Sequence, residues 1–366
     1  MMKRVLFVSK PIAPPWHDGS KNFVRDVASH LVRAHAIVMA TSDAPSIGAR
    51  VEIEPIYRGS GSFTPGLSAN ARVAKRLMFG PPHDVWHFVF APNRASSTVA
   101  RLAIRSRRMR GWQGAVVQTI ASAPRVCDPQ FLFGDVIITM SEHTKKRYVV
   151  EGADTARIRV IPPCAPPPTR ASKEAQLAFR LEHVLGHSPV VVFPGDYEVS
   201  SGAEVVAHAA KDIVKKNPNV KIVFACRPKT ERSAEAKARI EAILSSENVA
   251  EYTRHVGELD GLATLLSIAS VVAFPVDDLY GKVDLPLVLL EALALGVPLV
   301  LARGGPLEEI SAARFVAPRD SIAVADAVNA LLESPAELPD QGRALYLGRF
   351  RPGIVAATYD DLYDHL

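Results

Sequence analysis

Short runs of consecutive apolar residues alternate with amphipathic stretches along the whole chain. In the first half, residues 4–8, 36–40, 85–88, 115–119, 136–139 and 159–161 read as strands buried on both faces. In the second half, residues 190–193, 221–225, 271–274 and 298–301 repeat the style. Apolar residues at helical spacing predict helices between them, among them residues 23–33, 142–151 and one opening near Ala203. Strands that alternate with helices in this way build parallel sheets, which predicts an α/β protein of doubly wound halves.

The halves meet at a proline-rich stretch, Pro162, Pro163, Pro166, Pro167 and Pro168, which can continue neither a helix nor a central strand. The chain has 366 residues, more than one core usually fills. The expected organisation is residues 1–165, residues 166–345, and a final segment, residues 346–366, crossing back to the first domain. Ligands are expected in the cleft toward which strand carboxyl ends point. No short repeat marks a solenoid.

Composition narrows the function classes. With 48% hydrophobic and 22% charged residues, the chain reads as globular rather than disordered. Lys and Arg outnumber Asp and Glu by 43 to 38, an excess that suits anionic ligands and calls for no nucleic-acid partner. Cys127, Cys164 and Cys226 form no CxxC pair and no zinc-ligand spacing, so a cytoplasmic location without disulfides or a metal site is expected. The start is too short for a signal peptide, and no apolar run reaches the roughly 20 residues of a membrane span. Any membrane contact is therefore expected to be peripheral.

The most informative stretch is residues 283–300. It reads as a loop, a short helix carrying one carboxylate, a glycine stop and a buried strand. A helix start offers free N–H groups and a partial positive charge to a phosphate. Glu291 stands one turn further in, within reach of a sugar carrying the phosphate.

Other positions carry weaker signals. Gly19 and Ser20 close a loop before a helix and offer a second approach to phosphate, with an ordinary turn as the competing reading. His87 is expected to end a buried strand and face the cleft, as an acceptor ligand or proton carrier, or else to be a core histidine. Gly195 sits in a strand–turn–helix rim. Arg227 and Lys229 follow another strand and place two cations where the cleft is expected, suited to clamp a phosphate, with solvated surface charges as the competing reading. Arg101, Arg105 and Arg108 share one helix face, suited to anionic lipid or an acidic acceptor, or simply to solvent.

Taken in order, these pieces resemble family 4 of the retaining nucleotide-sugar glycosyltransferases. The likeness runs nearly end to end. It is carried by Gly19, Asp84 to His87, Val136 to Ser141, Gly257, Phe274-Pro275, the block from Leu287 to Val300, Gly304-Gly305-Pro306-Leu307-Glu308, and the terminal stretch from Tyr359. The resemblance implies a GT-B fold of two facing Rossmann-like domains. It also implies a nucleotide-diphosphate sugar donor such as a UDP- or GDP-sugar, no cofactor and no metal. Glu291 would hold the ribose, and the N–H groups near Leu287 and Val288, with Gly19, would hold the diphosphate.

The chain departs from the family pattern at four places. Val283 stands where a glutamate usually contacts the donor sugar, with Asp284 or Lys282 next door as substitutes. Asp196 and Ser201 replace the usual Arg and Lys, and Ala121 replaces a histidine. Asp284 is therefore expected to orient the sugar, and Arg227 and Lys229 to restore the missing charge. Three other readings stay open: a degenerate GT-B protein that partners an active transferase, a GT-B sugar-nucleotide epimerase, and a Rossmann oxidoreductase. The last lacks a GxGxxG after its first strand. The acceptor, with residues 60–69 as a candidate contact, has no readable code.

Overall fold

A computed structural model describes residues 2–59, 66–228, 230–259 and 262–366. The chain forms two compact units. The first comprises Met1–Pro166, Tyr280–Leu287 and Arg349–Leu366, and the second Pro167–Leu279 and Val288–Gly348.

In the first unit, seven parallel strands run β1 (Lys3–Val8), β2 (Ala34–Thr41), β3 (Val51–Tyr57), β4 (Val85–Phe90), β5 (Ala115–Ile120), β6 (Val136–Thr139) and β7 (Ile158–Val160). Their order across the sheet is β3-β2-β1-β4-β5-β6-β7. Helices α1 (Gly19–His30), α2 (Leu67–Phe79), α3 (Arg94–Arg108) and α4 (Glu142–Val150) connect them.

The two-residue period of a strand sorts the core. Val5 and Phe7 join Val38, Val85 and Val89 on one face, and Leu6 joins Ile37, Met39, Trp86 and Phe88 on the other. The first face is covered by α1 and by the last helix of the chain, which brings Val355, Tyr359 and Tyr363 into the cluster. Buried Asp360 fixes that last helix, accepting from the backbone N–H groups of Val32 at 2.8 Å and Arg33 at 3.1 Å. The second face is covered by α2 and α3 through Leu77, Ala100, Ala103 and Ile104.

The second unit holds six parallel strands: β8 (Val190–Gly195), β9 (Lys221–Cys226), β10 (Thr253–His255), β11 (Val271–Phe274), β12 (Leu299–Ala302) and β13 (Arg314–Val316), in the order β10-β9-β8-β11-β12-β13. Its helices are α5 (Lys173–Glu182), α6 (Gly202–Lys216), α7 (Ser233–Ser246), α8 (Ala263–Ile268), α9 (Leu287–Leu295), α10 (Ser321–Glu333) and α11 (Leu338–Leu345). The last helix of the chain is α12 (Pro352–Asp364). Gly202 lets α6 approach its sheet, because a Cβ there would lie 2.7 Å from Val276.

Helix α9 ends in a Schellman motif. Gly296 takes φ +72, its N–H donates to Leu293, and Val297 N–H donates to Ala292, both at 2.9 Å. Among the described residues no helix is long and apolar enough to cross a membrane.

Candidate functional site

Open parallel sheets bind ligands at the carboxyl ends of their strands. Gly19 and Ser20 follow β1, Gly195 ends β8 and Arg227 follows β9, whereas His87 lies within β4 and Arg101, Arg105 and Arg108 lie on α3. In the first unit, Asp18 caps α1. Its Oδ1 accepts from the Ser20 N–H at 2.9 Å, the Ser20 hydroxyl at 2.6 Å and the Lys21 N–H at 3.2 Å. Burial pushes Asp18 upward, but the Lys10 ammonium at 2.6 Å and these hydrogen bonds prevail and hold its carboxyl below the usual range. The expectation that Ser20 meets a phosphate is thereby corrected: its N–H and hydroxyl already serve a carboxylate of the same chain. Gly19 opens the helix, where an added Cβ would touch Val283 at 3.5 Å, an ordinary contact.

Val283 is an apolar core residue, 8% exposed and clustered with Phe23 and Val5. The segment that carries it is fastened to the first unit by backbone bonds. Ala123 N–H donates to the Lys282 carbonyl at 2.7 Å, and Gly281 N–H donates to the Ala123 carbonyl at 3.1 Å. The Arg125 guanidinium lies over the Tyr280 ring at 4.4 Å.

Asp284 is 3% exposed and accepts from the Ser141 hydroxyl at 2.5 Å. Ser141 is also the cap of α4, accepting from the Thr144 N–H at 3.0 Å. A carboxylate there lies against a helix start, where negative charge is favoured. The expectation that Asp284 faces a sugar is corrected by this burial: it is a positioning residue that ties residues 280–287 to α4.

His87 does not end its strand, which continues to Phe90. Its register puts the side chain on the α12 face with Val85 and Val89. It is fully buried, with Nδ1 2.6 Å from the Tyr363 hydroxyl and Nε2 2.7 Å from Thr119 Oγ1. Burial lowers its pKa to about 3. With both nitrogens engaged and no exposure, His87 is a neutral core histidine and not a catalytic group.

The second unit keeps its candidate residues nearer to solvent. On α9, Leu287, Val288, Glu291 and Ala294 are half-buried, while Leu289, Leu290, Ala292, Leu293 and Leu295 are buried. Positions i, i+1, i+4 and i+7 share one helix face, so Glu291 stands on the open stripe of an otherwise apolar helix. The Leu295 carbonyl at the far end accepts from Arg170 at 2.9 Å and Arg343 at 3.4 Å, which sets two cations against the helix's negative pole.

Gly195 ends β8, and its missing side chain answers to packing: a Cβ would lie 2.8 Å from the Phe193 ring. Asp196, almost fully buried, accepts from the Val199 N–H at 3.2 Å and closes the turn after β8. Arg227 follows β9 half-buried, while Lys229 lies outside the described residues.

Sequence reasoning passed over a further cluster. Asp277, just past β11, accepts from the Ser201 N–H at 3.3 Å and from Arg319 Nε at 2.7 Å. Burial pushes Asp277 up, but Arg319 and Ser201 outweigh it and hold the carboxyl below its usual range. Arg319, 75% exposed at its side chain, thus stands at the strand-end rim with φ +63. The acid two residues beyond Pro275 was the available signal; the arginine, across the unit, left none.

Two all-parallel, Rossmann-like units with these strand orders define the GT-B fold. Residues 188–334 match the family described as Glycosyl transferases group 1. No curated protein matches the chain in sequence. Similar solved structures include Anabaena HepE in complex with UDP-glucose, at 15% identity over 100% of both chains with a TM-score of 0.76. Another is the sucrose-phosphate synthase of Thermosynechococcus elongatus, 18% identical over 99% of this chain and 98% of that one, TM-score 0.73. A third is the α,α-trehalose 6-phosphate synthase of Burkholderia multivorans, 15% identical over 100% and 97%, TM-score 0.70. At such identities the likeness defines the fold.

Proposed function

We propose that the chain is a retaining glycosyltransferase that moves a sugar from a nucleotide-diphosphate sugar to an acceptor hydroxyl, without a metal. The observation that carries this reading is Glu291 on the open stripe of α9, inside the stretch that matches group 1 glycosyl transferases. Similar structures, such as HepE in complex with UDP-glucose, support a nucleotide-sugar donor.

In this reading Glu291 accepts from the ribose hydroxyls, and the N–H groups at the start of α9 receive the diphosphate. The sugar's anomeric carbon exchanges its bond to diphosphate oxygen for one to the acceptor oxygen. The bonding electron pair leaves with the diphosphate, whose departing oxygen takes the proton that the acceptor hydroxyl gives up. Arg227 and Arg319 at the rim stabilise the charge that develops on the leaving group. The lost glutamate at Val283 and the burial of Asp284 leave no acid of that segment for the sugar, so its hydroxyls are held by other groups. That same pair of observations favours a second reading, a GT-B protein that binds donor without turning it over.

The test is nucleoside diphosphate release from UDP-, GDP-, ADP- and TDP-sugars with EDTA present. Release with one donor, and a product of unchanged anomeric configuration by NMR, is expected. Binding without release supports the second reading, and inversion of configuration or loss of activity in EDTA contradicts the first.

A further inference from the structure

Charge is unevenly distributed along this chain. Between Glu54 and Asp128 there is one acid, Asp84, against eleven Lys and Arg, whereas the rest of the chain holds 32 basic and 37 acidic residues. The basic stretch includes α2 and α3, the helices that cover one face of the first sheet. On α3, Ala100, Ala103 and Ile104 face the core, and Arg101, Arg105 and Arg108 face outward beside Leu102 and Met109, which are 59% and 72% exposed.

The outward face is not flat. A shallow depression of about 620 Å³, open to solvent, lies there, bordered by Arg101, Arg105, Arg108 and Arg157 together with Ile104, Met109, Leu132 and Phe133. Arg101 donates to the carbonyls of Gln130 and Leu132, and Arg157 to that of Gly134. Carbonyl partners aim these guanidinium groups without cancelling their charge. Asp135 pairs with Arg108 at 2.8 Å, and among the described residues no hydrogen bond or ion pair engages the Arg105 side chain. Among the described residues, three of the four arginines therefore meet no carboxylate, and apolar groups of Ile104, Leu132 and Phe133 lie beside them.

We propose that this depression and the outer face of α3 dock the first unit on an anionic lipid bilayer, the arginines taking lipid phosphates and the exposed Leu102 and Met109 entering the acyl boundary. The combination of charge and exposed aliphatic groups on one helix face decides for lipid. A nucleic acid would answer the arginines but leave Leu102 and Met109 in water. It would also find the nearby Phe79 ring already covered by the Arg110 guanidinium at 5.0 Å. This docking is independent of the sugar-transfer reading.

The test is flotation of the full chain with vesicles of phosphatidylcholine alone and of phosphatidylcholine with phosphatidylglycerol in equal parts. Binding to the anionic vesicles only is expected. Arg105→Glu, which breaks no side-chain hydrogen bond or ion pair among the described residues, reverses one charge and weakens binding by roughly 25-fold, at about fivefold per unit of charge. Leu102→Asp weakens it further than its one added negative charge accounts for, measured against Ser106→Asp on the same helix. Unchanged melting temperatures of all variants show that the fold is kept. Equal binding to neutral vesicles, indifference to Arg105→Glu, or equal loss in Leu102→Asp and Ser106→Asp overturns the proposal, the last because it marks a general polyanion surface.

Discussion

The carboxylate of Asp284 accepts a hydrogen bond from the hydroxyl of Ser141, 143 residues earlier, with both side chains buried. The pair joins residues 280–287 to the cap of α4. Asp284→Ala leaves a buried hydroxyl without its acceptor and is expected to cost about 1–3 kcal/mol. Ser141→Ala removes the cap, worth about 1 kcal/mol, and a donor to a buried carboxylate. Because each change abolishes the same contact, the double variant is expected to lose less than the sum, by at least ~0.5 kcal/mol. Urea unfolding of the four proteins checks this, and simple additivity would remove the positioning role assigned to Asp284.

Gly296 is required twice over. Its φ of +72 costs a residue with a side chain about 1–2 kcal/mol, and a Cβ there would fall 1.8 Å from Arg343 Nη1. Gly296→Ala is expected to destabilise by the backbone cost together with the contacts to the Leu295 carbonyl and Asp340 that the flexible Arg343 side chain gives up in swinging aside. Adding Arg343→Ala clears the collision, so the double variant should be at least as stable as Gly296→Ala in thermal unfolding. A further loss in the double variant would show that the collision is not what matters.

His87 gives the fold a pH dependence of definite sign. Its folded pKa, lowered to about 3 by burial, lies below the unfolded value of about 6.5. Between these values the unfolded chain binds a proton that the folded chain does not, so stability is full above about pH 6.5 and falls as the pH drops. His83, lowered to about 4 by burial and by Arg76, acts in the same direction. His87→Phe leaves the Tyr363 and Thr119 hydroxyls short of a partner and is expected to be less stable at neutral pH. Between about pH 4 and 6 its stability should nevertheless fall more gently than the wild type's, by about 1.4 kcal/mol per pH unit. Equal slopes in chemical denaturation would show that His87 is not held neutral.

The sequence made the central strands plain, and among the edge strands it revealed only β7. The strands without an apolar signal, β3, β10 and β13, each lie at the edge of a sheet. An edge strand has one neighbour and an open side, so β3 tolerates Glu52, Glu54 and even Pro55. The start of α1 was readable from Asp18, an N-cap residue five places before the apolar face begins at Phe23, yet the apolar residues alone place it four residues late. Glu291 on its open stripe was legible because helix periodicity is local. The burial of Asp284 was not, since its partner Ser141 is near only in three dimensions. The same holds for His87, whose neighbours Tyr359 and Tyr363 arrive from the far end of the chain.

Nucleotide binding through Glu291 is the claim on which the functional account rests, and calorimetric titration of UDP, GDP and ADP into the wild type and Glu291→Gln tests it most directly. One nucleoside diphosphate is expected to bind the wild type. Loss of a hydrogen bond to a charged group, worth about 1.5–3 kcal/mol, should weaken that binding about 10- to 150-fold in the variant while the melting temperature of the free protein stays unchanged. Equal affinity of the two proteins, or no binding by either, would contradict the account.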